Sequence, residues 1–94
     1  MSDPARLLLR ALARSAEEAG CAVALSHLRE RAWATATFTG ARHTVRAEGE
    51  AAALARWLSM LPEAELPMRG WFVASCAAEL SGPTATIELL VLEE

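Results

Sequence analysis

Few side chains in this chain could do chemistry: His27 and His43, Cys21 and Cys76, and a scatter of glutamates. Two cysteines and two histidines are the donor set of a tetrahedral metal site. Their spacings, C-x5-H, H-x15-H and H-x32-C, match no zinc motif. If the chain reverses near Arg29–Glu30 and again at Gly40–Ala41, His27 lies opposite Ala32 and His43 opposite Phe38. The two rings would then sit about 20 Å apart along a shared middle strand, at about 3.3 Å per residue. The expectation is that no metal and no cofactor is held.

Catalysis finds little else to work with. Cys21 and His27 lie on one strand, too far apart for a thiolate–imidazole dyad. A meeting of His43 with Cys76 or Ser75 stays open, because the order of the hairpins in the sheet is not set. Glu17, Glu18, Glu48, Glu50, Glu63 and Glu65 fall at helix ends or in a loop, where capping or solvation suffices. Only Glu88 falls within a strand on the outer face, opposite Ser75. No GxSxG, Walker, GxGxxG or HExxH signature occurs, and the absence of Lys and Tyr removes two of the usual catalytic acids and bases. The chain reads as a protein that is not an enzyme.

The elements follow from patterning. Asp3 as N-cap, Pro4 at the first helical position and an apolar stripe through Ala5, Leu8, Leu9, Leu12 and Ala16 predict a helix over 4–19, stopped by Gly20. Period-two runs predict strands in CAVALSHLRE, RAWATATFTG and ARHTVRA. Leu54, Trp57, Leu58 and Leu61 mark a second helix, Pro62 and Pro67 bound a 62–70 loop, and a last hairpin turns at Ser81-Gly82-Pro83. No internal repeat is visible. With 94 residues, 53% of them hydrophobic, the chain has material for one core, so residues 1–94 form a single α+β domain. The predicted architecture is a two-layer sandwich of order αβββαββ, with two helices on one face of a five-stranded, largely antiparallel sheet.

The uncovered face of that sheet is unusual. It gathers Trp33 and a row of threonines, Arg42 and Arg46, and from the last hairpin Trp71, Val73, Leu90 and Leu92. An apolar patch on an exposed sheet marks an interaction site. A second copy of the chain is its expected user, because a two-fold dimer needs one self-complementary patch. The alternative is a small-molecule-binding or enzymatic domain with a pocket near Trp33, Arg42, Arg46 and the 62–70 loop, His43 being a further contact.

Nucleic acid is not an expected partner: the net charge is −3, and acids and arginines are interspersed. The order αβββα is similar to that of double-stranded-RNA-binding domains, but the second helix opens with Glu48, Gly49 and Glu50 where a basic start is needed. No membrane partner is expected either, since the longest apolar run of the first helix, Leu7–Leu9, ends at Arg10. The cytoplasm, with both cysteines reduced, is the expected compartment. The full order and charge sign are also similar to those of small acidic secretion chaperones that dimerise and bind extended client segments, without a shared motif or that fold's final helix. That likeness implies a protein client as a further user of the sheet face.

Overall fold

A computed structural model describes residues 1–94. Helix α1 (Asp3–Glu18) leads into strands β1 (Val23–Ala34) and β2 (Thr39–Gly49). Helix α2 (Ala51–Met60) and a short 3-10 turn (Leu61–Glu63) follow, then β3 (Trp71–Ser81) and β4 (Thr84–Glu93). The α+β class, the two layers and the placing of both helices on one face agree with the sequence reading. The five-stranded sheet does not: the sheet has four strands in the order β1-β2-β4-β3, all antiparallel.

The missing strand follows from the reversals: one turn stands where two were expected. No turn forms at Arg29–Glu30; β1 runs straight through, and Leu28 bulges out between His27, which pairs with Val45, and Arg29, which pairs with Thr44. The reversal comes at 35–38 instead. There Thr35 Oγ1 accepts the amides of Thr37 and Phe38 at 3.3 and 3.1 Å, a threonine turn that closes the hairpin. Gly40 therefore lies inside β2 and not in a turn. With one strand fewer, the element order is αββαββ, and the likeness to the secretion chaperones and to double-stranded-RNA-binding domains lapses.

Each half of the chain is one αββ unit. Both units carry a bulge in their first strand, at Leu28 and at Ala74, 46 residues apart. The repeat is one of architecture that the side chains hardly echo. The units join through β2 and β4, from Gly40–Leu92 to Glu48–Thr84.

Helix α1 starts one residue earlier than its sequence suggests. Ser2 is the N-cap and its hydroxyl accepts the Ala5 amide, while Asp3 pairs with Arg6. Glu50 caps α2 by accepting the Ala52 and Ala53 amides. Leu8, Leu12 and Ala16 of α1 and Leu54 and Trp57 of α2 pack on Val45, Ala47, Ile87, Leu89 and Val91. Those sheet residues occupy alternate positions, so one face of the sheet carries the core. Inside it the Trp57 indole N–H donates to Ser15 Oγ at 3.0 Å, tying one helix to the other.

Candidate functional site

Register places every sequence-selected residue. Five rows cross the uncovered face: Trp33–Gly40–Leu92–Phe72, Arg31–Arg42–Leu90–Ser75, Arg29–Thr44–Glu88–Ala77, Ser26–Arg46–Thr86–Glu79 and Ala24–Glu48–Thr84–Ser81. Trp33, Arg42, Arg46, Leu90 and Leu92 are thus on the predicted face. Trp71 and Val73 are not. The unpaired Ala74 shifts the end of β3 by one residue, which turns both side chains toward the helices and brings Phe72 outward. The outward apolar surface is also smaller than predicted, because Leu90 and Leu92 are 8% and 4% exposed within one chain. Phe72 pairs with Leu92 and meets the ring of Phe38 edge to face, with centroids 5.9 Å apart.

Charge distinguishes this face more than apolarity does. Arg29 and Arg31 join Arg42 and Arg46, so four arginines occupy the β1–β2 half, and Arg46 lies 3.7 Å from Glu48. Glu79 and Glu88 occupy the β3–β4 half. The sequence reading puts Arg29 at a turn and Arg31 at the head of the strand after it, whereas both lie within β1 on this face.

The pocket of the alternative reading does not form as one site. The 62–70 loop and β3 bound an open cleft of about 920 Å³, lined by Arg14, Leu66, Met68, Trp71 and Cys76. Arg14, Trp71 and Cys76 put it on the helix side, whereas Trp33, Arg42 and Arg46 lie on the other face of the sheet.

The histidines are the largest correction. They are not 20 Å apart: His27 Nε2 and His43 Nδ1 are 2.9 Å from one another. His43 pairs across the sheet with Glu30, not with Phe38, and its Nδ1 is 3.9 Å from Glu30 Oε1. In an unbroken strand His27 and Glu30, three apart, would point to opposite faces. The bulge at Leu28 restores both to the helix side. Ser2 Oγ donates to Glu30 Oε1 at 2.6 Å, so the start of α1 closes the cluster.

His43 is 1% exposed, and burial lowers its pKa below the usual histidine value; Glu30 pulls it up and His27 adds to the lowering. The ring is thereby favoured neutral, and Glu30 is its neighbour rather than a salt-bridge partner. One proton lies between the two rings. If His43 Nδ1 carries it, the buried and unpartnered His43 Nε2 is a bare lone pair; if His27 carries it, that nitrogen is an orphaned N–H donor. The spacing H-x2-E could have signalled this cluster, but only to a reader who knew that a bulge lay inside it.

His43 and Cys76 make no dyad, since Leu89 stands between them in the row Glu30–His43–Leu89–Cys76, two strand spacings or about 10 Å across. Both cysteines are unpaired. Burial raises the Cys76 thiol, and raises the Cys21 thiol against the pull of Arg56 and with the help of Glu50. A raised pKa leaves less thiolate at neutral pH. At pH 7 iodoacetamide should modify the folded chain at least about 10-fold more slowly than the urea-unfolded chain, with Cys76 ahead of Cys21. Equal rates would mean that the core opens freely. No family model, curated protein or solved structure matches the chain. No helix is long and apolar enough to cross a membrane.

Proposed function

We propose that the chain is a small non-catalytic interaction module that pairs with a second copy of itself across the uncovered sheet face, in the cytoplasm, where Cys21 and Cys76 stay reduced. The observation that carries this reading is the uneven division of the face, with four arginines and one glutamate, Glu48, on the β1–β2 half and two glutamates and no arginine on the β3–β4 half. A face with one sign of charge would repel its copy. A divided face is self-complementary under a two-fold axis lying between β2 and β4 along the strands.

Such an axis sets β1 over β3 of the partner and β2 over its β4. Trp33 then stacks on Phe72 of the partner subunit, and Arg29 lies one strand from Glu88 of the partner subunit. Arg46 lies beside Glu79 of the partner subunit. Four strands at about 4.8 Å and ten residues at about 3.3 Å make a face of about 600 Å². Two such faces bury about 1,200 Å², the lower end of specific interfaces, so a dissociation constant of micromolar order is expected.

Light scattering over a dilution series tests this. Wild type should pass from monomer to dimer in the micromolar range. Arg29→Glu should weaken the dimer at least about 10-fold, and Glu88→Arg added to it should restore most of the loss. A chain that stays monomeric at about 100 µM, or a dimer indifferent to both reversals, would remove the proposal.

A further inference from the structure

We propose that His27 Nε2, His43 Nδ1 and the Glu30 carboxylate form a binding site for a divalent transition-metal ion of the zinc class, set between the start of α1 and the β1–β2 ladder. The three donor atoms lie within 4.8 Å of one another. For both facing nitrogens to offer lone pairs, each neutral ring carries its proton on the far nitrogen, His27 Nδ1 and the buried His43 Nε2, and the ion then takes the place of the proton now shared between the rings.

The geometry is close to what zinc requires. Ligands at about 2.0–2.1 Å in a tetrahedron stand about 3.3 Å from each other. The two nitrogens, now 2.9 Å apart, would open by about 0.4 Å, and Glu30 Oε1, now 3.9 Å from His43 Nδ1, would close by about 0.6 Å. His27 and Glu30, the third pair, stand within 4.8 Å, and side-chain torsions at the half-buried His27 and the exposed Glu30 supply these movements while the buried His43 stays fixed. Two imidazoles and one carboxylate select against Mg²⁺ and Ca²⁺, which prefer all-oxygen shells, and in favour of zinc, cobalt or nickel.

Two features of the fold build the site. The bulge at Leu28 is what makes His27 and Glu30 share a face; bulges elsewhere re-aim side chains at functional positions in the same way. The Ser2 hydroxyl, at 2.6 Å, orients the carboxylate from outside, as hydrogen-bonded partners of metal ligands do. Three protein ligands leave a fourth position for water or another small donor.

The probe is Zn²⁺ itself, added to metal-stripped chain, with Mg²⁺ as control and Co²⁺ absorption reporting the ligand field. Zn²⁺ should bind with a dissociation constant of about 1 µM or tighter and, at 100 times that concentration, raise the melting temperature by about 10 °C. His27→Ala and Glu30→Gln, both at accessible positions and checked for folding by circular dichroism, should each weaken binding at least about 100-fold. Ser2→Ala should weaken it about 10-fold. Wild type whose melting temperature ignores millimolar Zn²⁺ overturns the site. So does binding that survives undiminished in both His27→Ala and Glu30→Gln, which would place the ion elsewhere.

Discussion

Gly40→Ala should cost about 3 kcal/mol or more and lower the melting temperature by roughly 15 °C, although it adds a single methyl group. A Cβ at residue 40 would stand 2.0 Å from the Val91 carbonyl oxygen and 2.8 Å from Leu92 Cα, both backbone atoms of β4 that no rotamer change can move aside. Its backbone dihedral is ordinary, so the demand is one of space and not of conformation. The central strands must separate at this end or the register must slip. Gly20 is the control. It has a φ of +74° with nothing within 4 Å of its would-be Cβ, so Gly20→Ala should cost only about 1 kcal/mol of backbone strain. Urea denaturation of the two variants beside wild type decides the matter. A Gly40→Ala chain within 1 kcal/mol of wild type would mean that β2 and β4 do not approach as closely as described.

Trp57→Ala should cost about 3–5 kcal/mol, a large part of the roughly 5–14 kcal/mol available to a domain of this length. Trp57 is 1% exposed and packs among Leu54, Leu61 and the sheet. The indole does a second thing that a phenylalanine could not, since its N–H reaches Ser15 at 3.0 Å in the buried space between the helices. Ser15→Ala strands that donor and should cost about 1–3 kcal/mol, whereas Trp57→Phe removes the donor and some volume together. In the double variant the losses should fall short of their sum by about 1 kcal/mol or more. Strict additivity would show that the hydrogen bond contributes nothing beyond packing.

The sequence made the helices plain, and the reasons are local. Pro4 marks the start of α1 to within a residue, although Ser2 and not Asp3 is its cap, Leu8 and Leu12 or Leu54 and Trp57 fall on one stripe, and neither signal needs knowledge of a partner strand. The last hairpin was equally clear, because Gly82 marks its turn. What stayed hidden was what depends on pairing. Arg29, Glu30 and Arg31 are three successive charges in the middle of an alternating run, and a turn explains them as readily as a strand does. A bulge at Leu28 is defined by what it fails to pair with, so nothing in β1 alone reveals it. The same holds for Trp71, Phe72 and Val73: all three are apolar, and only the skipped Ala74 decides which two join the core. The histidine cluster lay beyond reach for that reason, and so did half of the arginine face.

The joining of the two αββ units through β2 and β4 has a kinetic consequence. Within each unit the hairpin partners are close along the chain, down to Ala34 with Thr39 and Ser81 with Thr84. Across the seam, Glu48 meets Thr84 and Gly40 meets Leu92, separations of 36 and 52 residues. Loop closure must be met before such contacts give anything back, and contacts distant in sequence slow folding most. The hairpins should therefore form early and repeatedly, while the central seam, on which the core under both helices depends, is the event for which folding waits.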